Sequence, residues 1–149
     1  MRIIKTAEVT VRSVIDNLEG GLPEGDPEVN AITSQGNYTV HDGGYIIKYA
    51  EVSEEARTDC ELRIQAEGVS LTRRGAVVCD ILFEEGEECV TLYSVPPYRF
   101  DMTVRTRRIR NSLTPDGGEL QLIYSMNVGG QDKDVRMKIG VRTESVNGD

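Results

Sequence analysis

Arginines crowd one predicted strand of the chain, 99–113. The alternation that places Met102 inward also places Arg108 and Arg110 inward if it continues unbroken, and a guanidinium there would anchor a carboxylate or phosphate. A one-residue bulge near Arg107 would instead turn both arginines outward. A third interpretation, an outer basic stripe that binds nucleic acid, is disfavoured by the net charge of -8. The first alternative makes Arg108 and Arg110 candidate ligand-binding residues.

Tyrosines supply six of the eight aromatic side chains. Tyr45 and Tyr49 share one face of their predicted strand, and Tyr124 lies on the apolar face of another. A barrel interior lined by tyrosine hydroxyls and aliphatic groups would suit a small amphipathic ligand. Tyr45, Tyr49 and Tyr124 are therefore candidate ligand contacts. The alternative is that they fill the core, with their hydroxyls hydrogen-bonded near the rim.

The remaining reactive side chains form no catalytic or metal-binding motif. His41 is the only histidine and falls in a predicted turn, without a Gly-x-Ser-x-Gly sequence that would supply a nucleophile. Cys60, Cys79 and Cys89 form no Cys-x-x-Cys motif, and their odd number predicts reduced, unligated thiols. We therefore expect no enzyme activity, no metal and no cofactor.

Composition indicates one soluble domain spanning 1–149. A chain of 149 residues with 38% hydrophobic and 28% charged content can bury a core without disulfides or metal. The N-terminus has no apolar stretch of signal-peptide length, and nothing downstream approaches the roughly 18 apolar residues of a membrane span, so we expect a cytoplasmic protein. The net charge of -8 argues against nucleic acid and membrane surfaces as partners.

The pattern of apolar residues predicts an all-β fold. Apolar and polar side chains alternate with period two along most of the chain, and glycine-containing turns separate the alternating segments. Strands are expected at 3–15, 29–40, 45–52, 59–66, 69–74, 77–84, 89–94, 99–113, 119–128 and 134–144. The segment 16–28, rich in glycine, proline and carboxylates, is expected to be a mobile acidic loop. Short connections make an antiparallel up-and-down meander, and closure into a barrel of eight to ten strands removes unpaired edges.

Several short motifs along the chain resemble those of a known family. They are Gly36-Asn37-Tyr38, Tyr45-Ile46-Ile47-Lys48-Tyr49, Leu71-Thr72-Arg73-Arg74-Gly75, Phe83-Glu84-Glu85-Gly86, Leu92-Tyr93 with Pro96, Thr106 with Ile109, and Gly117-Gly118-Glu119-Leu120 before Tyr124. In order and spacing they are similar to the YwiB-like bacterial family of unknown function, over Val9 to Val141. The resemblance implies a calycin-type, lipocalin-like β-barrel in a bacterial cytoplasm. It implies no catalytic residues.

Two functions are compatible with such a barrel. The first is a non-enzymatic protein that binds a small amphipathic or anionic molecule in the barrel interior. The second is an interaction or assembly module whose barrel is filled and which contacts a protein partner. Apolar residues in the outward phase favour the second: Ile46, Val78, Leu82 and Ile123. A cavity of several hundred Å³ with convergent polar groups would favour the first function.

Overall fold

The structure is a computed structural model that describes residues 2–144, and Met1 and 145–149 lie outside the described residues. Every element in the described part of the chain is a β-strand. The strands are β1 (Ile3–Glu19), β2 (Leu22–Pro23), β3 (Glu28–His41), β4 (Gly44–Val52), β5 (Arg57–Gln65), β6 (Val69–Gly75), β7 (Val78–Phe83), β8 (Glu88–Val95), β9 (Tyr98–Asn111), β10 (Gly117–Val128) and β11 (Gln131–Thr143). Within residues 2–144, no helix is long and apolar enough to span a bilayer.

The strands form one closed antiparallel sheet. Each strand from β3 to β11 pairs with the next along the chain, and β1 pairs with both β3 and β11. The short β2 pairs only with the end of β1, through Leu18↔Pro23 and Glu19↔Leu22, so ten strands close the barrel. This confirms the expected all-β, up-and-down, calycin-like barrel of eight to ten strands.

One end of the barrel is filled and closed. Tyr38 is fully buried there, and Leu113 from the β9–β10 connection is buried in the same core cluster. The Tyr38 hydroxyl donates a 2.7 Å hydrogen bond to the backbone oxygen of Thr114 in the same connection. The Nζ of Lys5 donates to the Pro115 oxygen at 2.6 Å, which ties this connection to β1. These two hydrogen bonds hold the β9–β10 connection against this end of the barrel.

In two places, adjacent strands of the barrel pair over only part of their length. β3 pairs with β4 only over Asn37–His41, because Glu28–Gly36 pairs with β1 alone. β7 pairs with β8 only through Val78↔Ser94 and Cys79↔Tyr93. The β6–β7 ladder also has five pairs, and the other ladders that close the barrel are longer, up to the thirteen pairs between β1 and β3. The barrel wall thus has its fewest backbone pairs at the β7–β8 seam, and the part of β3 that does not pair with β4 lies at the end opposite the filled one.

The acidic segment 16–28 is more ordered in secondary structure than the sequence predicts. β1 does not end near 15 but continues to Glu19, where Asp16 and Asn17 still pair with β11. Gly20 and Gly21 both have positive φ and turn the chain back into β2. The breaker-rich composition was the reason to expect a loop, and the pairing of β1 on both sides overrides it. The mobility of the rest of the segment stays a prediction.

Candidate functional site

The open half of the barrel contains a cavity of about 610 Å³. Its wall is mostly apolar and includes Met102, Met126 and Met137, whose flexible side chains adapt to irregular shapes. Four charged side chains also line it, Glu28, Glu51, Arg73 and Lys133. A volume of this size, with polar groups set in a largely apolar wall, is typical of small-molecule sites.

A single inward-facing row of side chains crosses five consecutive strands, β4 to β8, beside this cavity. Register places Tyr49 opposite Cys60, Cys60 opposite Arg73, Arg73 opposite Cys79 and Cys79 opposite Tyr93. Directly opposite residues in an antiparallel pair have Cβ atoms about 5 Å apart, so these side chains are mutual neighbours. The row therefore surrounds one guanidinium with two thiols and two phenols.

Arg73 is the charged centre of the row. Its side chain is 18% exposed, and its Nη2 lies 3.3 Å from Oε2 of Glu51, whose side chain is 29% exposed. The Nε of Arg73 and the hydroxyl of Tyr49 are buried without a hydrogen-bond partner among the described residues. Buried polar atoms without partners carry a desolvation cost of about 1–3 kcal/mol each. Glu51 thus neutralises the charge of Arg73 but leaves the Nε–H of the guanidinium without a hydrogen bond.

The electrostatics of the row keep its acids protonated. Burial raises the pKa of the Cys60 thiol to about 11, and Glu51 adds to the rise while Arg73 opposes it. Burial likewise raises the pKa of Cys79 and of the Tyr49 hydroxyl. For Arg73, burial acts to lower the pKa, but attraction to Glu51 and the neighbouring Tyr49 outweighs it, and the pKa is raised. Since the thiolate is the nucleophilic form of cysteine, these thiols are not activated at neutral pH.

The arginines predicted as an anion anchor lie elsewhere. A register shift between Ile123 and Tyr124 makes Tyr124 the partner of Thr106 and Ile123 the partner of Arg108, so Arg107 is the extra residue of a bulge. Arg108 and Arg110 are therefore exposed on the outer face and do not reach the cavity. The inward orientation drawn from unbroken alternation is thus corrected, because the bulge reverses the phase after Thr106.

The three candidate tyrosines occupy different places. Tyr124 is buried and lines the cavity, with a pKa that burial raises to about 12. Tyr49 belongs to the row that contains Arg73. Tyr45 lies near the filled end, where its ring stacks on Tyr38 with centroids 5.4 Å apart. The structure brings Tyr49 and Tyr124 to the open half and leaves Tyr45 outside it, while ligand contact by any of them stays a prediction.

Arg73 and Glu51 were missed as site residues, although the sequence carries a signal for both. In 69–74 the alternation of Val69, Leu71 and Arg73 places the arginine inward without any bulge. In 45–52 Glu51 is in phase with Tyr49 and therefore also faces inward. Opposite charges in the inward phase of two predicted segments, separated by only one strand of the meander, would have indicated an interior ion pair.

No metal site is assembled in the described part of the chain, where no three His, Cys, Asp or Glu side chains converge. Taken together, the closed ten-stranded sheet, the filled end and the open cavity define a calycin-like β-barrel protein. A family model described as "Domain of unknown function (DUF1934)" matches residues 9–141, and the chain belongs to this family. Among curated proteins, none matches the chain.

The fold is shared with a solved structure. The crystal structure of YwiB protein from Bacillus subtilis is similar to this chain with a TM-score of 0.81 and 21% sequence identity, over 95% of this chain and 94% of that chain. This likeness confirms the resemblance to YwiB-like proteins that the sequence motifs indicate. At this level of identity it shows the fold alone.

Proposed function

We propose that the protein binds a small amphipathic molecule, without catalysis, in the open half of its barrel, with an acceptor group of the ligand placed against Arg73. One observation carries the proposal: the Nε of Arg73, a residue that lines the cavity of about 610 Å³, is buried without a hydrogen-bond partner. A hydrogen-bond acceptor on a ligand would satisfy this N–H group, and the methionine-rich wall would receive the ligand's apolar body.

A carboxylate is the acceptor that fits best. Charge-assisted hydrogen bonds to a guanidinium are about twice as strong as neutral ones, and a planar carboxylate matches its paired N–H groups. Glu51 now holds one side of the guanidinium, but its partly exposed side chain can turn into water as a ligand carboxylate arrives. The raised pKa values of the Cys60 and Cys79 thiols support a binding protein rather than a thiol enzyme.

The cavity also bears on the alternative function, an interaction module with a filled barrel. Only one half of the interior is filled, which supports ligand binding over that alternative. Of the outward apolar residues that favoured it, Ile46 is buried and Leu82 is exposed. The three cysteines are free thiols, which is consistent with a reducing cytoplasm as the setting of the proposed function.

The experiment is isothermal titration calorimetry with octanoate as an anionic probe and 1-octanol as its neutral counterpart. We expect Arg73→Gln to weaken octanoate binding at least about tenfold, because a hydrogen bond to a charged group contributes about 1.5–3 kcal/mol. The affinity for 1-octanol should stay unchanged. Arg74→Gln is the matched control, since Arg74 is the next residue, faces outward and pairs with Asp80.

Three outcomes would contradict the proposal. If neither probe binds at millimolar concentration, the cavity is not a site for such molecules. Equal loss of octanoate binding in Arg73→Gln and Arg74→Gln would place the anion at the surface. Equal loss of both probes in Arg73→Gln would show that the guanidinium shapes the cavity without recognising charge.

A further inference from the structure

Five cations on the outer face of the barrel form no ion pair with any residue of 2–144, and we call them the cationic patch: Arg12, Arg108, Arg110, Arg136 and Lys138. The chain has seventeen Lys and Arg residues, and nine of them form ion pairs with described residues. Of the eight others, five lie in this one patch. In a protein with net charge -8, such a concentration of unpaired positive charge is not a consequence of composition.

Register places the patch in two adjacent rows. In the first, Arg12 lies opposite Lys138, and Gln121 separates Lys138 from Arg110. In the second, Val14 lies opposite Arg136, which Ile123 separates from Arg108. Like charges directly opposite each other destabilise a sheet, so folding does not explain the Arg12–Lys138 pair.

A shallow groove of about 230 Å³ lies within the patch. Arg12, Arg136 and Lys138 line it together with the half-buried apolar side chains of Val14 and Ile123. A nucleic-acid backbone would use the cations but not the apolar floor, and the two rows contain no aromatic side chain on which a base would stack. An acidic polypeptide that also carries apolar side chains would use both.

The same chain contains such a polypeptide in the segment 18–28, which we call the acidic hairpin. It includes Glu19, Glu24, Asp26 and Glu28 and no Lys or Arg. None of these four carboxylates forms an ion pair with a described residue. Leu22 at its turn is 71% exposed. Charge and apolar character thus complement the cationic patch.

The acidic hairpin does not neutralise the patch of its own molecule. Arg12 and Glu19 lie seven residues apart on the extended β1 strand, which corresponds to about 23 Å. Salt screens charges over about 8 Å at physiological ionic strength, so the two groups do not interact across that distance. Toward the hairpin the patch ends at Asp16 and Asp134, and Asp134 already pairs with Arg107.

We infer that the partner is a second copy of this chain, in a twofold dimer in which the acidic hairpin of each copy docks on the cationic patch of the other. A twofold interface is self-complementary, because each copy supplies both surfaces. Both surfaces lie along β1, so an axis between them brings each hairpin to the partner's patch. The Leu22 side chains then meet the apolar floors formed by Val14 and Ile123.

The test is sedimentation velocity on the full chain at about 50 mM and about 500 mM NaCl, since screening at the higher salt weakens charge pairing. Wild type should be dimeric at low salt and dissociate as salt rises. The patch variant carries Arg12→Glu and Lys138→Glu, and the hairpin variant carries Glu24→Lys and Asp26→Lys. In each, the dissociation constant of the dimer should rise at least about tenfold, because like charges then face each other.

Mixing the two variants is the decisive step. In a mixed dimer, the acidic hairpin of the patch variant meets an intact patch, and the basic hairpin meets a reversed patch, so both contacts regain complementarity. We expect a mixed dimer at low salt from two proteins that are each monomeric. The control variant carries Arg2→Glu and Arg99→Glu, which change the net charge by the same amount. Both cations lie outside the patch and form no ion pair within residues 2–144, so this variant should dimerise like wild type.

A monomeric wild type at low salt would overturn the inference. So would a dimer that the patch variant leaves intact, or a mixture that fails to associate although circular dichroism shows both variants folded. If a monomeric wild type retains poly-L-glutamate or a single-stranded oligonucleotide and the patch variant does not, the patch serves another polyanion and the dimer is rejected.

Discussion

Replacing Glu51 by glutamine should destabilise the protein by about 2–3 kcal/mol. Its carboxylate lies 3.3 Å from the guanidinium of Arg73, and at an effective dielectric constant of about 20 the attraction between the two charges is about 5 kcal/mol. Removing one partner of a fully buried pair costs about 3–5 kcal/mol, because the other charge stays desolvated. Arg73 and Glu51 are 18% and 29% exposed, so some of that loss is recovered through water at the cavity mouth.

The matched control is Asp80→Asn. Arg74 and Asp80 lie closer together, at 3.0 Å, but their side chains are 53% and 64% exposed. Exposed pairs contribute about 0–1 kcal/mol, so the shorter contact should matter less than the longer, buried one. Burial rather than distance is therefore what this comparison measures.

Urea unfolding followed by far-UV circular dichroism is the appropriate assay, since the chain has no tryptophan. Glu51→Gln should lower the midpoint and leave the m-value unchanged. In the double variant that also carries Arg73→Met, the loss should be smaller than the sum of the single losses by about 2 kcal/mol, because no isolated charge remains. If Glu51→Gln costs no more than Asp80→Asn, Arg73 is screened like a surface charge and the reasoning fails.

Three further outcomes follow from burial and close packing. Because burial raises the pKa of Cys60 from 9.0 to about 11, the stability that its neutral thiol contributes is complete below pH 9 and is lost as the pH rises toward 11. Between pH 9 and pH 11 the free energy of unfolding of wild type should fall by about 3 kcal/mol more than that of Cys60→Ala. If the two proteins lose stability in parallel as the pH rises, the raised pKa of Cys60 is contradicted. In native protein a thiol reagent should modify half-buried Cys89 first and the two buried thiols only on unfolding, and equal rates would show that the barrel opens freely. Gly36→Ala should cost about 1–3 kcal/mol, since a Cβ there meets a β4 carbonyl oxygen, whereas Gly140→Ala has room and should be near neutral in thermal unfolding.

The strand pattern was predictable because the core demands it. Leu122 and Met137 sit in alternating segments and are buried as expected, since a slip of one residue would expose a whole apolar face. Closure was predictable for a similar reason, because a meander of ten strands with one apolar face leaves exposed edges otherwise. The extension of β1 to Glu19 was not predictable from the sequence, because it depends on the pairing of β1 with β2 and β11 rather than on local composition.

The site was less accessible to sequence reasoning. Alternation gives the face of Arg73 but not how far along the barrel the interior is filled. That depends on which bulky side chains of distant strands pack together, as the rings of Phe83 and Tyr124 do with centroids 4.9 Å apart. The bulge at Arg107 was foreseen as an alternative, but its choice depends on how β10 pairs with β9. Sequence therefore defined the candidates, and cross-strand register selected among them.

The pairing of β1 with β11 sets a constraint during synthesis. β1 leaves the ribosome before the other strands of the barrel, and β3 covers one of its edges soon afterwards. Its other edge, from Ala7 to Asn17, waits for β11, and the ion pair between Glu8 and Arg142 joins residues 134 positions apart. At about 5–20 residues per second, that wait lasts roughly 7–27 seconds.

During that interval the nascent chain displays a long unpaired strand whose apolar face has no complete core to cover it. Such an edge is a template for pairing with other chains. Charged side chains on β1, among them Glu8 and Arg12, oppose pairing with other chains but still allow the native pairing with β11. A chain that stalls before β11 would keep this edge permanently, so translation arrest in the last strand should yield aggregates rather than a smaller folded barrel.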